Sequence, residues 1–502
     1  MIQALRSILR WQLLLLGLLV LGGCASLPQT SVSGHIKDSG AAGRCAEFFQ
    51  KLDQATVADG ALDGGEVRIE GYPYLRVNRL LASYRREVKP GPRFNSWLDH
   101  LQALDRKARD HEIANLAATT WRDTLAARSR ADLRRDVRRC GNRLRALDFR
   151  SPAQRQILRR RARVPDEYQR LPRILGLYPV SSLFISQGVN IWHAKARRSY
   201  SNTPPLSEHF KPYVYSGPRP SYANLQTLLG RTPRDALGFP MLEAGTRRAL
   251  FAYYAPRWLV RQHTDDDRIG TPYWRGPGEP AVRVDQPRTY TRVSYTRFAG
   301  QLLTQLNYII WFPARTRQQW LDIYAGPLDG VNLRITLDPH GDPLLYETMH
   351  NCGCYYKVYP GRQLKVRESN GYSEPPLILA APILNPASQI LNVAMGSASH
   401  YVEHLYPAPA IQAARGTPYA LHGYAELLSL ANGTGNRASL FDATGTVAAS
   451  DRPERFILWP TGVYSPGAMR QWGRHAVAFV GERHFDDPDY MNRMFSLAGN
   501  RW

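Results

Sequence analysis

One imidazole and two thiols fall within five residues at His350-Asn351-Cys352-Gly353-Cys354. Imidazole and thiolate are the ligand types that zinc and copper take up readily, and neighbouring thiols can also cycle through a disulfide. In an extended strand His350, Cys352 and Cys354 share a face, yet successive side chains stand about 6.5 to 7 Å apart. Ligands of one tetrahedral ion must sit about 2.0 to 2.3 Å from it. A bend at Gly353 is needed to converge them, and glycine tolerates one. Three readings stay open: a metal site completed by a distal fourth ligand, a redox-active or strained Cys352/Cys354 pair, and ordinary core or turn residues. The Cys-Gly-Cys spacing is one residue shorter than that of a thioredoxin motif.

A second candidate is His400-Tyr401-Val402-Glu403-His404, which matches the H-x-x-E-H pattern of inverted zinc peptidases. On a helix, positions i and i+4 put both imidazoles on one face, with Glu403 beside them as the general base for a metal-bound water. Pro407 would end that helix almost at once, and a five-residue pattern arises readily by chance. His400 or His404 also qualifies as the distal ligand of the first cluster, which would unite the two. The candidate ligands of a zinc or copper ion are therefore His350, Cys352, Cys354, His400 and His404. A third grouping, Arg474-His475 with Arg483-His484-Phe485-Asp486-Asp487, lies after Ser465-Pro466-Gly467. With no Gly-x-Ser-x-Gly elbow to expose a serine, it reads as a hydrogen-bonded structural network. Neither a phosphate-binding loop nor a dinucleotide fingerprint is present.

The elements around these groups predict an α+β fold, an N-terminal all-helical domain followed by a larger domain with a mainly antiparallel sheet. Cys45, Phe48, Phe49 and Leu52 recur at helical spacing, as do Leu133, Val137, Cys140, Leu144 and Leu147, so both cysteines point toward a core. Pro73 is expected to open a helix through Leu80, Leu81 and Tyr84, and Asn95 or Ser96 to cap a longer one through Trp97, Leu98, Leu101 and Leu104. Past Pro165 and Pro172 helical periodicity fades and Tyr, Trp and β-branched residues rise, which sets a boundary between a helical, Arg-rich domain at 45–168 and an α+β domain at 169–502. Strand signals run from Tyr290 to Tyr295, Leu302 to Phe312, Leu321 to Tyr324, Val331 to Leu337, Leu344 to Met349, Ser439 to Val447, Phe456 to Trp459 and His475 to Val480. Asp329-Gly330 reads as a hairpin turn.

The 502 residues are 43% hydrophobic and 21% charged, a globular balance that excludes a collagen, a disordered tail and a polytopic membrane protein. Arg6 and Arg10 precede an apolar run from Leu13 to Val20, too short to span a bilayer and of the form of a signal peptide at 1–23. The run ends in Leu21-Gly22-Gly23-Cys24, which resembles the lipobox of bacterial lipoproteins. The resemblance implies a diacylglycerol thioether and an amide-linked acyl chain on Cys24, a linker at 24–44, and, with Ala25 next and no retention Asp, the periplasmic face of the outer membrane. The body, through Ile310-Trp311-Phe312-Pro313-Ala314-Arg315, the His350–Tyr355 stretch and Arg483–Asp487, is similar to uncharacterised lipoproteins of Gram-negative bacteria. That similarity implies an envelope setting and no activity.

With Cys24 acylated, Cys45, Cys140, Cys352 and Cys354 permit three pairings in an oxidising compartment. The helical periodicity favours Cys45–Cys140, against the alternative of two free core cysteines. The chain carries 57 Arg against 8 Lys and a net charge of +23. Fourteen of those Arg, against three Asp, lie between Arg128 and Arg163, a face suited to anionic headgroups or an anionic envelope polymer. It lacks the interleaved aromatics of a nucleic-acid platform, so nucleic acid is not an expected partner. The expectation is an outer-membrane-anchored lipoprotein that binds an envelope ligand or partner. The alternatives are a metal-dependent hydrolase at the His/Cys residues, with Glu403 as base, and a thiol redox protein at Cys352 and Cys354.

Overall fold

The computed structural model describes residues 31–203, 210–410, 415–433 and 435–499; the leader and Cys24 lie outside the described residues. The first elements are α1 (Gly40–Ala58), β1 (Val67–Ile69), β2 (Tyr72–Val77), α2 (Arg79–Tyr84), α3 (Pro92–Asn115), α4 (Arg130–Asp148) and α5 (Pro152–Arg161). The stripes of α1 and α4 are buried at Cys45, Phe49 and Leu52 and at Leu133, Val137, Cys140 and Leu144. A disulfide joins Cys45 to Cys140, with Cα atoms 5.0 Å apart.

This region is not all helix. Pro73 lies inside β2, because Gly71 turns the chain at φ 83° and the residues after it are buried along the whole strand. The following helix starts only at Arg79, where Asn78 accepts a hydrogen bond from Leu81 N. The hairpin pairs Arg68 with Arg76 and drives both guanidiniums inward. They meet Asp53, Asp105, Glu112 and Arg109 in a buried cluster of three cations and three carboxylates, with contacts such as Arg76 Nη2 to Glu112 Oε1 at 2.7 Å and Arg109 Nη2 to Asp53 Oδ1 at 2.9 Å. Equal numbers of opposite charges, hydrogen-bonded to one another, are what allows them to leave water. α3 begins at Pro92, before the expected cap at Asn95 or Ser96, since proline suits the first helical turn.

Helices continue beyond the point where periodicity fades: α6 (Arg170–Leu175), α7 (Tyr178–Ser199), α8 (Tyr222–Gly230) and α9 (Ala244–Tyr253). Their strand partners are β3 (Phe210–Tyr215), β4 (Arg257–Arg261), the separate hairpin β5 (Thr271–Gly276) and β6 (Glu279–Arg283), then β7 (Arg288–Phe298), β8 (Gln301–Arg315), β9 (Gly326–Leu337), β10 (Pro343–His350) and β11 (Lys357–Pro360). After them come β12 (Leu364–Val366), β13 (Leu377–Ile378), β14 (Gln389–Met395), β15 (Val402–Pro409) and β16 (Thr417–Gly423). Eleven of these form one curled sheet in the order β13-β11-β10-β9-β8-β7-β16-β3-β4-β14-β15.

The α+β class holds, at 34% helix and 27% strand, but the sheet is mixed. β7 to β11 are antiparallel neighbours, whereas β16 runs parallel to both β3 and β7, and β14 runs parallel to β4. Late segments returning from distant loops enter between earlier strands, which local turn signals do not reveal. The central strands are covered on both faces. On β8, Leu303, Ile309 and Trp311 join one core while Leu306, Tyr308, Ile310 and Phe312 join the other, as a period of two requires.

Four expected strands are absent. Leu321–Tyr324 and Ser439–Val447 are turns and irregular chain, Phe456–Trp459 falls mostly in a short helix, α10 (Arg455–Leu458), and His475–Val480 contributes one isolated bridge, Ala476 to His484. Short apolar runs do not separate strand from helix or loop. Asp329-Gly330 is likewise no turn but part of β9, opposite Phe312 and Trp311.

Candidate functional site

β8, β9, β10 and the loop before β15 bring charge to one buried point. Asp329 has the same parity on β9 as Val331, Leu333, Ile335 and Leu337, so the strand period carries its carboxylate inward, and the side chain is fully buried. Asp329 Oδ2 accepts a hydrogen bond from His400 Nδ1 at 2.8 Å. Asp329 Oδ1 lies 3.4 Å from His350 Nδ1 and 3.6 Å from Arg452 Nη2. On the far side His400 Nε2 is 3.4 Å from Asp267 Oδ1, and the His400 ring lies flat on Phe312 with centroids 3.8 Å apart. A chain of side chains, His350, Asp329, His400, Asp267, thus runs through the interior.

Each member is held by its surroundings. Asp267 accepts hydrogen bonds from the backbone N–H groups of His263, Thr264 and Ala398 and from the Ser397 hydroxyl. Gly330 makes room for Asn351: a Cβ there would stand 2.1 Å from Asn351 Nδ2, which donates to Ile310 O. His350 ends β10, and the chain bends at Gly353, φ 93°, so that His350 N donates to Cys354 O at 3.0 Å. Among the described residues eight non-glycine residues have positive φ, and four of them, Leu328, Tyr355, Ala398 and His400, flank this centre. Such backbone costs of order 1 to 3 kcal/mol per residue and gathers at sites where geometry serves function.

The electrostatics split the two imidazoles. Burial opposes ionisation of Asp329, but His350, His400 and Arg452 outweigh it and hold the carboxyl well below its usual range. Burial also opposes charge on His400, but hydrogen bonds to Asp267 and Asp329 raise its pKa above the ordinary value. At His350 burial wins and the pKa falls. Asp329 therefore stands between a histidine that favours its proton and one that favours the neutral form. Neither ring nitrogen of the buried His350 is hydrogen-bonded, Nδ1 facing Asp329 Oδ1 at 3.4 Å.

Next to this chain lie the two thiols, both unbridged and buried. Cys354 N donates to Cys352 Sγ at 3.4 Å. Burial works against a Cys352 thiolate, but the Cys354 side chain and the Arg452 guanidinium bring its pKa below the ordinary value, while the hydrogen bond to Cys352 and burial push Cys354 well above it. Burial pushes Glu454 up to about 7, against the pull of Arg452 and Arg315.

Toward solvent the centre is rimmed by aromatics. Tyr355 and Tyr401 are half-buried, with ring centroids 4.8 and 5.7 Å from that of His350. Arg315 at the end of β8 donates to both hydroxyls, at 3.3 and 3.1 Å. Trp192 of α7 closes over them, 5.4 Å from Tyr355 and 6.4 Å from Tyr401.

Of the residues expected from sequence, His350, Cys352, Cys354 and His400 belong to this neighbourhood. Glu403 and His404 do not. The H-x-x-E-H segment is strand rather than helix beyond Tyr401, because it pairs with β14, the register shifting so that Glu403 is bulged out of the ladder. Glu403 instead pairs with Arg261 at 3.3 Å, and His404 packs on Phe210. Among the described residues no group of three or more His, Cys, Asp or Glu is arranged to hold a metal ion. Asp267, Asp329, Arg315, Arg452 and Glu454 escaped the sequence reading. Only Asp329 carried a signal, its parity with the apolar run that follows it.

A cleft of about 1130 Å³ opens elsewhere, lined by residues of α3 and β7 and by charges of both signs, Lys107, Arg247, Arg248 and Arg292 with Asp63, Glu66, Asp110, Glu243 and Asp486. It offers room, whereas the buried chain offers chemistry. No protein-family model, curated protein or solved structure matches this chain.

Proposed function

We propose that this protein is lipid-tethered through Cys24 at the periplasmic face of the outer membrane, and that its His350–Asp329–His400 centre performs acid–base chemistry of the hydrolase type on an envelope ligand. The lipobox resemblance supports the setting. One observation carries the chemistry: the fully buried Asp329 faces His350 Nδ1 at 3.4 Å, and burial favours the neutral form of that imidazole, neither of whose ring nitrogens is hydrogen-bonded. In this reading His350 Nε2 takes the proton of a water or hydroxyl nucleophile as it bonds to the ligand's acyl or phosphoryl centre, Asp329 steadies the imidazolium that forms, Arg315 stabilises negative charge developing on the ligand, and the imidazolium returns the proton to the leaving group as its bond to that centre breaks. Tyr355 and Tyr401, with ring centroids 4.5 Å apart, must separate for a ligand to reach His350. No step requires a metal.

The test uses the full chain with p-nitrophenyl ester, phosphoester and anilide probes. Native protein should turn over at least one class, and His350→Asn should reduce that rate by about 10²-fold or more, the usual contribution of a positioned general base. Turnover unaffected by His350→Asn, or none in any class, refutes the proposal.

The Arg-rich surface of α4 and α5 favours a second reading, in which the protein binds an anionic envelope polymer without transforming it. Purified lipopolysaccharide should then bind native protein and lose affinity for the Arg138→Glu/Arg143→Glu variant, both positions being exposed on α4; equal affinity would count against it.

A further inference from the structure

The described residues leave 21 large apolar side chains exposed, and eight of them fall between Leu171 and Ile191, on α6, α7 and their joint. A helix facing water turns polar residues outward and apolar residues inward. α7 does the reverse along one stripe. Val180, Leu183, Phe184 and Ile191 recur at steps of three, four and seven, and Phe184 is 74% exposed. The same stripe ends in Lys195 and Arg198. The side of α7 that faces the protein carries Trp192, His193 and Ala196 instead.

Neighbouring chain extends the patch. The turn Trp459–Thr461 packs against α6, where Gln169 N donates to Gly462 O at 2.8 Å and Arg173 Nε to Thr461 O at 2.7 Å. Beside it Phe456, Ile457 and Trp459 are exposed. Contiguous exposed apolar surface of this kind marks a place of contact. Its charge selects the partner: from 168 to 203 there is no Asp or Glu, against Arg170, Arg173, Lys195, Arg197 and Arg198. Arg173 is paired with Glu482, whereas the charges nearest the α7 stripe are the cations Lys195, Arg197 and Arg198, and apolar side chains bordered in this way match acyl chains beneath anionic headgroups. Among the described residues no helix is long and apolar enough to cross a membrane, so the contact lies along the surface.

We infer that the face built from α6, α7 and the Phe456–Trp459 segment docks on an anionic phospholipid bilayer, with Leu183, Phe184 and Ile191 inserted at the level of the headgroups and upper acyl chains. This is a contact of the folded body, separate from any acyl group on Cys24. Because Trp192, the neighbour of Ile191 on α7, touches Tyr355 and Tyr401, docking brings the rim of the His350 centre within one helix diameter, ~10 Å, of the bilayer. If the acid–base reading holds, the ligand is accordingly an amphiphile drawn from the membrane.

The test places a reporter at the tip of the stripe. Full-length Phe184→Trp is reconstituted with vesicles of phosphatidylethanolamine and phosphatidylglycerol, with or without bromine on the acyl chains. Its fluorescence in excess of native protein should be lost on brominated vesicles and retained on plain ones, whereas Met241→Trp, a replacement at another exposed position, should keep its excess on both. Exchanging phosphatidylglycerol for phosphatidylcholine should restore the Phe184→Trp signal. Unquenched Phe184→Trp emission, or equal quenching of Met241→Trp, overturns the inference. So does a dimer in sedimentation that Phe184→Asp dissolves, which would make the face an interface between copies. Quenching reads contact alone, so it would persist if His350→Asn left ester turnover unchanged, and the two readings fail separately.

Discussion

Replacing Asp329 by Asn keeps the shape of the side chain and removes one negative charge from between His400 and Arg452, 2.8 and 3.6 Å away. Both partners are as deeply buried as Asp329 itself. Removing one member of a buried ion pair leaves an uncompensated charge and costs about 3 to 5 kcal/mol. The pH dependence follows from the two shifts. Asp329 has a depressed folded pKa, so its contribution is present above the unfolded carboxylate value of 3.8 and is lost as pH falls through the folded value. His400 has a raised folded pKa, so its contribution is complete below 6.5 and fades as pH rises through the folded value. The two overlap in mildly acidic solution. Urea unfolding followed by tryptophan emission, with Trp258 and Trp311 buried in the sheet, should therefore show the largest loss in Asp329→Asn near pH 5.5 and a smaller one once pH has risen past the folded value of His400, where that imidazole is neutral and Arg452 still charged. A loss below about 1 kcal/mol at pH 5.5, the scale of an exposed pair, would mean that the centre is not an organised charge network and would remove the basis for the proposed chemistry.

Glu454 should show the opposite acid behaviour. Its folded pKa is pushed up from 4.5 to about 7 by burial, so the folded state holds the proton more tightly and native stability declines as pH rises across that window, by about 3 kcal/mol in all. Glu454→Gln should flatten this decline and unfold later than native protein at pH 8; an unchanged slope would refute the assignment. Cys45 and Cys140 are 95 residues apart, so opening their bridge should cost about 4 to 5 kcal/mol by loop-closure entropy. Cys45→Ser/Cys140→Ser should match reduced native protein in denaturant midpoint, and a variant as stable as oxidised native protein would contradict it.

Residue types and local spacing determined the helices α1 and α4, because a stripe at 3.6-residue spacing has to be buried against something, and they marked β7 to β10, through the period-two alternation of Val331–Leu337 and the apolar stretch of Leu302–Phe312, which suit an extended chain covered on its faces. They also marked His350, Cys352, Cys354 and His400 as chemically capable. Spacing could not decide where β16 enters the sheet, since parallel neighbours share no turn, nor that Pro73 lies in a strand, since its conformation follows from the hairpin around Arg68 and Arg76. It misplaced Glu403 and His404 because a pattern read on a helix loses its meaning when the segment pairs with β14. Tertiary structure alone decided the centre: Asp267, Asp329, Arg315 and Arg452 come from segments far apart in the chain, and their pKa shifts arise from burial and from neighbours that only the folded chain supplies. The same holds for α7, whose apolar residues are plain in the sequence but whose outward direction depends on which side Trp192 and Ala196 pack against the body.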